Sequence, residues 1–553
     1  MAWRFYWVLF LIVLAAVGLT WRIFELTVLN QHFLRKQGDE RVIRLVNTPA
    51  FRGMMVDRNG FPLAVSTLVY SVWMNPQEFI VSDEDLSDLS RLLNIKSSEI
   101  TFMVHRYQKQ KREFVYLKRA LSPEVANQIK LLAIPGVYLQ KEYHRYYPEG
   151  EVTAHVVGFT NVDDRGQEGL ELSYNEWLAG EPGKKWVIKD RLGREIADVQ
   201  NVNEQKPGHD LVLSIDRRIQ YLAYRELLNG VAQSQARSGS VIVLDAKTGE
   251  ILAMVNQPSF NPNNRPARMS DRLRNRAVTD LFEPGSVIKA FTEASALETG
   301  FYKPDSFINT SPGWMRVGHH VVKDEKNNGV LSMAQILQIS SNMGAAKIAL
   351  SLPPDQLWSL LHRVGFGEAL NIGFPGEQNG VLVKQPAGSF PLATLSFGYG
   401  LSVTALQLAH AYAVLANNGM KVPLSILRLD HPPVGERVMD AKTVQQMLLL
   451  LEAVTFKGGT AHAASVPGYR VAGKTGTAWL MGAKGYQKNR FNSSFVGIAP
   501  VSDPRLIIVV VLHDPQGKQH QGGEISAPVF ERIMEGSLRI LNVPPDGVLQ
   551  TVG

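Results

Sequence analysis

From Phe5 to Trp21 the chain carries no charged side chain, and Val, Leu, Ile and Phe dominate the run. Arg4 and Arg22 at its edges can snorkel, so the apolar stretch reaches about 20 residues, the length at which a helix crosses a hydrocarbon core. Trp3, Tyr6, Trp7 and Trp21 stand near its two ends, where amphipathic rings favour the interface. A cleaved signal peptide is the rival reading, with Ala16-Val17-Gly18 as a marginal peptidase site. The basic segment before the run is short, however, and the run outlasts the usual signal length. Residues 1–24 are therefore read as a short cytoplasmic tail and an uncleaved anchor. Arg22, Arg35, Lys36, Arg41 and Arg44 follow the span, yet long domains translocate in spite of such charge.

The remainder of a 553-residue chain exceeds one typical core, so two or three domains are expected. With 45% hydrophobic and 20% charged residues it is globular and not disordered. A net charge of +7 suits an anionic surface, but no aromatic RNA-binding pattern or Cys/His finger accompanies it, so no nucleic-acid partner is assigned. The chain has no cysteine, which excludes disulfides and thiolate metal sites. No His-Glu-x-x-His pattern occurs, and His319-His320 reads as a strand or loop pair; no metal or cofactor is assigned.

Residues 41–205 mix short β-type runs, such as Leu68 to Trp73, with turn signals and polar helical stretches. Arg52 to Gly60 contains an Asn-Gly turn between apolar segments and predicts a hairpin with buried charges at its base. Gly166-Gln167-Glu168-Gly169-Leu170-Glu171 predicts a turn opening a helix toward Trp177. Nothing in this region spells chemistry, and it is read as a spacer or interaction domain. Lys206-Pro207-Gly208 marks a boundary, after which Asp210 to Asp216 predicts a strand leading into a helix from Arg217. Ser240 to Asp245 and Glu250 to Val255, joined by Lys247-Thr248-Gly249, predict a β-hairpin. Strands are also expected after Tyr469, over Ser494 to Ile498 and from Leu506 to Leu512. Ser526-Ala527-Pro528 is expected to cap an amphipathic helix running to Leu538. Strands from both ends with helices between imply an α+β domain, residues 206–545, whose antiparallel sheet is closed by its two ends.

Within that domain Glu283-Pro284-Gly285-Ser286-Val287-Ile288-Lys289 places a hydroxyl and an amine three residues apart at the start of an apolar helix ending near Gly300. That spacing puts Lys289 on the helical face of Ser286, within reach of its hydroxyl. A lysine serves as the base for a serine nucleophile only if burial or nearby positive charge holds it as a neutral amine. The helix N-terminus adds partial positive charge where an oxyanion would develop. Alone, such a pair is expected by chance about once in a chain of this length. Two further pieces follow in order, Ser340-Ser341-Asn342 and Lys474-Thr475-Gly476-Thr477.

This ordered triplet resembles the penicillin-binding proteins and serine β-lactamases. Arg52 through Gly60, Gly166 to Glu171, Leu244-Asp245 with Thr248-Gly249, Ser396-Phe397-Gly398-Tyr399-Gly400, Gly458-Gly459-Thr460-Ala461 and Ser494 to Gly497 extend the likeness to the class B penicillin-binding proteins. Within these, Glu283 to Ser286 and Ser340 to Asn342 resemble the division-specific peptidoglycan D,D-transpeptidases of the penicillin-binding protein 3 type. The earlier Lys247-Thr248-Gly249 precedes the serine and is read as a hairpin turn. The resemblance implies an anchor, an elongated non-catalytic pedestal and a serine penicillin-recognising transpeptidase fold with a central antiparallel sheet flanked by helices. It also implies a bacterial inner-membrane protein, single-pass, with a periplasmic catalytic domain that crosslinks the septal wall.

The roles it implies are chemical. Ser286 attacks the D-Ala-D-Ala peptide bond and Lys289 takes its proton, giving an acyl-enzyme. Ser340 relays a proton to the leaving D-alanine, and Asn342 holds the substrate's own amide. Lys474 supplies positive field, and the Thr475 hydroxyl binds the terminal carboxylate. Gly476 leaves the strand bare for an added substrate strand, and the N–H groups of Ser286 and Thr477 form the oxyanion pair. Implied partners are peptidoglycan stem peptides, β-lactams, the membrane, a lipid-II-polymerising glycosyltransferase and other division proteins. One departure is Ala478-Trp479-Leu480, where division-type relatives often carry a basic pair.

A β-lactamase would need a water-activating element such as the Glu-x-x-Leu-Asn of class A, whose spacing Glu377-Gln378-Asn379 does not match. A bifunctional class A protein would carry a glycosyltransferase domain before Ser286, and none is found. A β-lactam sensor should show additional signalling spans, which are absent. A D,D-carboxypeptidase differs only in using water as acceptor, and a divisome scaffold can coexist with catalysis.

Overall fold

The computed structural model describes residues 2–34, 36, 43–48, 50–189, 195–265, 270–384, 388–482 and 485–547. Arg35 and Arg41, two of the basic residues after the apolar run, lie outside them. The chain forms two compact units. The first comprises Met1–Gly53, Ser66–His144 and Ala179–His209, and the second Met54–Val65, Arg145–Leu178 and Asp210–Gly553.

In the first unit the apolar run is one helix, Ala2–Phe24, with no buried residue. Apolar side chains cover it all round, as a bilayer span requires. A short π-helical turn, Glu25–Leu29, continues it, and Ala2–Leu29 is long and apolar enough to cross a membrane. A separate core forms where Val72, Met74, Val115, Leu117 and Leu121 meet Leu89, Leu93, Ile100, Val104 and Ile129 of three amphipathic helices. Those helices, Asp83–Leu93, Ser97–Lys109 and Pro123–Leu131, include two with a serine cap: Ser82 and Ser122 each accept a backbone N–H of the first turn. A three-stranded antiparallel sheet joins Ile43–Thr48, Gly183–Lys189 and Glu195–Asn203.

The second unit is α+β. The expected Asn-Gly hairpin pairs Met55–Val56 with Pro62 and Ala64. Its turn is held by buried Asp57, whose Oδ1 accepts the N–H groups of Asn59 and Phe61, each at 2.8 Å. The strand expected over Asp210–Asp216 is confined to Leu211–Val212. Asp216 instead turns to cap α1, Arg217–Ser234, by accepting the Arg218 N–H.

The sheet follows, with β1 at Ala236–Asp245 and β2 at Ile251–Gln257 forming the predicted hairpin. Next come α2 (Lys289–Glu298), α3 (Asn342–Ser351), α4 (Ala405–Ala416) and α5 (Ala441–Glu452). The chain returns through β3 (Ala472–Gly482), β4 (Gly485–Ala499) and β5 (Leu506–Pro515) and ends in α6, Ala527–Ile540. The order is β2-β1-β5-β4-β3, antiparallel throughout. In β5 the run Leu506 to Leu512 is buried without alternation, because both faces are covered. Helix α4, buried at every residue, lies against β5 and β1, while α6 packs on α1 and the sheet. Ser526 stands before α6 but does not cap it: its hydroxyl donates to the Ser493 carbonyl at 3.1 Å, and the chain enters from the short helix Gly522–Ile525. The edge strand β3 therefore presents a free side, and the helices around α2 stand beside it.

Candidate active site

Ser286 lies in a 3-10 turn, Gly285–Ile288, that leads directly into α2 at Lys289. A 3-10 turn eclipses residues three apart, which stacks the Lys289 amine over the Ser286 hydroxyl more closely than an α-turn would. Lys289 Nζ is 3.0 Å from Ser286 Oγ. The turn is admitted by two glycines. Gly285 has φ +62 and donates its N–H to the Gly398 carbonyl, and a Cβ at Gly398 would lie 2.0 Å from the Gly285 carbonyl oxygen.

The second piece converges on the same amine. Lys289 Nζ also stands 2.5 Å from the Ser340 carbonyl, 3.1 Å from Ser340 Oγ and 2.8 Å from Asn342 Oδ1. Four oxygens surround a group with at most three protons, and only the two hydroxyls among them can donate to a neutral nitrogen. Ser340 holds a left-handed backbone, φ +60, uncommon for a serine and maintained by the turn after helix Met333–Gln338. Asp324 fixes the segment from the other side: its carboxylate accepts the Ser341 hydroxyl at 2.5 Å and the N–H groups of Asn342 and Met343 at 2.6 and 3.0 Å. It sits at the N-terminus of α3, where a negative charge is favourable.

Strand β3 brings the third piece. Lys474 Nζ donates to Ser340 Oγ at 3.0 Å and reaches Thr475 Oγ1 at 3.3 Å. Thr475 Oγ1 donates in turn to Thr460 Oγ1 at 3.1 Å, and Thr477 Oγ1 accepts the Gly522 N–H at 3.1 Å. A Cβ at Gly476 would stand 2.3 Å from Ser494 Oγ and 2.8 Å from the Pro284 carbonyl. This glycine thus has a second use besides a bare strand: it lets the Ser286 turn dock on β3.

Ser286, Lys289, Ser340, Asn342, Lys474, Thr475, Gly476 and Thr477 are all brought together. Lys289 and Lys474 are fully buried. Burial, and next the charge of Lys474, hold the Lys289 amine well below the usual lysine range, against the pull of Asp324 and Glu293. Burial likewise lowers Lys474 to about 7, opposed by Glu293. An amine held low in this way and in contact with a serine hydroxyl has the geometry to take that hydroxyl's proton.

Residues 239–535 match the family model of the penicillin binding protein transpeptidase domain, and residues 47–213 that of the penicillin-binding protein dimerisation domain. Peptidoglycan D,D-transpeptidase FtsI of Escherichia coli is 43% identical over 553 residues, covering 99% of this chain and 93% of that protein. The chain belongs to the class B penicillin-binding proteins. The probable peptidoglycan D,D-transpeptidase PbpC of Pseudomonas aeruginosa is 41% identical, with 99% and 96% covered. Among solved structures, penicillin binding protein 3 from Mycobacterium tuberculosis complexed with aztreonam aligns with a TM-score of 0.70 at 28% identity, over 91% of this chain and 99% of that one. The apo transpeptidase domain of Burkholderia pseudomallei penicillin-binding protein 3 aligns at 0.56 and 38% identity, over 61% and 98%.

In this penicillin-binding protein the departure at Ala478-Trp479-Leu480 has a local partner set. The Trp479 N–H donates to Tyr399 Oη at 3.3 Å, and Tyr486, 5.4 Å from Tyr399 between ring centres, donates to Glu283 at 3.1 Å. Asp324, Thr460 and Glu293 were not foreseen as site residues. Asp324 and Thr460 act from loops with no spacing rule. Glu293, a fully buried carboxylate flanked in sequence by Ala290, Phe291, Ala294, Ala296 and Leu297, was visible as an anomaly.

Proposed function

We propose that Ser286 is the nucleophile, Lys289 its base, and the surrounding groups the machinery of a peptidoglycan D,D-transpeptidase that binds β-lactams covalently. The observation that carries this reading is the 3.0 Å contact between Ser286 Oγ and the fully buried Lys289 amine. Ser286 Oγ attacks the carbonyl of the D-Ala-D-Ala bond while its proton passes to Lys289 Nζ. The N–H groups of Ser286 and Thr477 hold the oxyanion. Lys289, Ser340 Oγ and Lys474 form an unbroken chain, so the proton reaches the leaving amine through Ser340 as the C–N bond breaks and an ester to Ser286 remains. Lys474 and Thr475 face the terminal carboxylate, and the Asn342 amide faces the donor's backbone. The amine of a second stem peptide then attacks the ester, its proton returns along the same chain, and Ser286 is released with a crosslink formed.

A β-lactam enters by the same first step and stops at the ester. Glu377, the carboxylate considered for water activation, instead accepts three N–H groups of its own loop, from Leu370, Asn371 and Ile372. That use favours a long-lived acyl-enzyme over a β-lactamase. The chain is anchored by its single N-terminal helix. The division of labour is anchor 1–24, pedestal 41–205 and transpeptidase domain 206–545, with the last on the periplasmic side, where its substrate lies. A membrane glycosyltransferase and other division proteins are the partners this arrangement serves.

The test is labelling with a fluorescent penicillin, wild type beside Ser286→Ala, with mass spectrometry of the modified peptide. A stable adduct on Ser286, lost in the variant, is expected. Rapid drug turnover without an adduct would move the assignment to a β-lactamase, and neither adduct nor turnover in folded protein to a scaffold.

A further inference from the structure

One ionisable group at the site has no task in the chemistry above. Glu293 follows Lys289 by one turn of α2, on the same helical face. It is fully buried, and among the described residues neither of its carboxyl oxygens has a hydrogen-bond partner. A buried polar group left unpaired is costly, so its presence calls for a compensating charge.

The neighbours of α2 narrow the source. Helix Met333–Gln338 carries no charged residue. On α3, Lys347 donates to the Asn309 carbonyl. On helix Gln356–Arg363, Arg363 pairs with Glu298 and His362 faces Glu368. On α5, Glu452 pairs with Arg470 and Lys442 is exposed. Asp324 is engaged with the N-terminus of α3 and acts on Lys289. Burial pushes the Glu293 carboxyl well above the usual carboxylate range, and the charges that draw it back down are those of Lys474 and then Lys289. Both amines meet at Ser340 Oγ, at 3.1 and 3.0 Å.

We propose that Glu293 is a positioning residue of the site, a buried counter-charge shared by Lys289 and Lys474 that keeps one amine charged while the other stays free to take the Ser286 proton. The inference rests on Ser286 and Lys289 acting as nucleophile and base. No ion pair joins Glu293 to either lysine, so the carboxyl acts on the two amines through its field and not by direct proton exchange. Lys474 can so remain an ammonium for the substrate carboxylate while Lys289 remains an amine. Without the carboxylate, burial acts unopposed on Lys474 and only Asp324 draws Lys289 back, so the cluster sheds protons at a lower pH.

The experiment measures the second-order rate constant of acylation by a fluorescent penicillin from about pH 5.5 to 9.5 on the full-length protein. Wild type, Glu293→Gln and Glu293→Asp are compared, with the adduct located by mass spectrometry. That constant reports the ionisation of the free enzyme. In Glu293→Gln both limbs of the profile should slide to lower pH by about one unit, so that at a fixed pH the rate on the alkaline limb falls about tenfold and the rate on the acid limb rises about tenfold. Glu293→Asp should keep the wild-type limbs. A uniform drop at every pH, with the limbs unmoved, overturns the proposal and leaves the nucleophile assignment standing. Absence of any Ser286 adduct in the wild type instead sinks the reading beneath it. Should Glu293→Gln lose its cooperative melt, Glu293→Met is read in its place, with the same slide expected. If neither folds, the infrared difference between free and acylated wild type decides: a change in a protonated-carboxyl band supports the proposal, and a flat spectrum in that region overturns it.

Discussion

Lys247-Thr248-Gly249 closes the β1–β2 hairpin in the open, whereas Lys474-Thr475-Gly476, the same tripeptide, lies along β3 with its lysine fully buried. Lys247 reaches out to exposed Asp503 at 2.9 Å, and Lys474 reaches in to Ser340 Oγ at 3.0 Å. Thr248 Oγ1 donates to Glu250 beside it, and Thr475 Oγ1 to Thr460 from a separate loop. Gly249 is required by a left-handed turn, φ +73, and by the Pro423 carbonyl 2.6 Å from where a Cβ would stand, and Gly476 by the approach of the Pro284 carbonyl and the Ser494 hydroxyl. The residues are identical, and their chemistry is set by what the strand or turn brings against them. A short pattern becomes a site only when burial strips its lysine of water and a second element supplies the partner.

The sharpest way to break this contrast is to truncate each lysine. Lys474→Ala should lower the acylation rate constant about a thousandfold, in the range expected for a group that stabilises charge in the transition state. Lys247→Ala should leave that rate unchanged and shift Tm by no more than a degree or two, because exposed ion pairs are worth about 0.2–1 kcal/mol. The same contrast has a pH signature. Lys474 must carry its proton to hold a carboxylate, and burial lowers it to about 7, so the wild-type rate constant should fall as pH rises through about 7. A rate that stays flat to pH 9 would place Lys474 outside the titrating machinery. Next in size are the glycines. Gly476→Ala sets a methyl 2.8 Å from a backbone carbonyl and must push the Ser286 turn away. Displacements of about 1 Å cost about a hundredfold in rate, the expected loss. Gly249→Ala puts strain of about 1–3 kcal/mol into the turn, and should lower Tm by several degrees with acylation intact.

Most of the architecture was legible from local patterns. The apolar run, the β1–β2 hairpin and the strands flanking Lys474 carry uninterrupted signals, and the order of Ser286, Ser340 and Lys474 pointed to side chains that the fold brings together. What local pattern could not show was long-range capture. Asp210–Asp216 reads as one strand, yet Asp216 leaves the ladder because its carboxylate takes the Arg218 N–H at the start of α1. Ser526 reads as a helix cap, yet its hydroxyl is taken by the Ser493 carbonyl of β4. Asp324 has no pattern around it and becomes a site residue because a hairpin, Trp314–Val317 with His320–Lys323, delivers it to α3. The 3-10 turn at Ser286 was also beyond a helix-period reading, and it is what aligns Ser286 with Lys289.

The smallest effects lie with the threonines, where the comparison can be read one hydroxyl at a time. Valine keeps the shape of threonine and removes only the hydrogen-bonding oxygen. At Thr475 that oxygen lies between Lys474 and Thr460, on the edge of β3 where the donor's carboxylate would arrive. Hydrogen bonds to charged groups are worth about 1.5–3 kcal/mol, so Thr475→Val should lower the acylation rate constant about tenfold or more with little change in Tm. At Thr248 the hydroxyl donates to the Glu250 carboxylate, which keeps a contact from Arg58 at 3.3 Å and the Leu429 N–H at 2.9 Å, and it accepts the Glu250 N–H at 3.2 Å. Thr248→Val should therefore cost about 1–3 kcal/mol of stability and leave acylation at the wild-type rate. Paired melting curves and labelling time courses would separate the two. Loss of acylation in Thr248→Val, or wild-type acylation in Thr475→Val, would mean that position along β3 does not decide which copy of the tripeptide works.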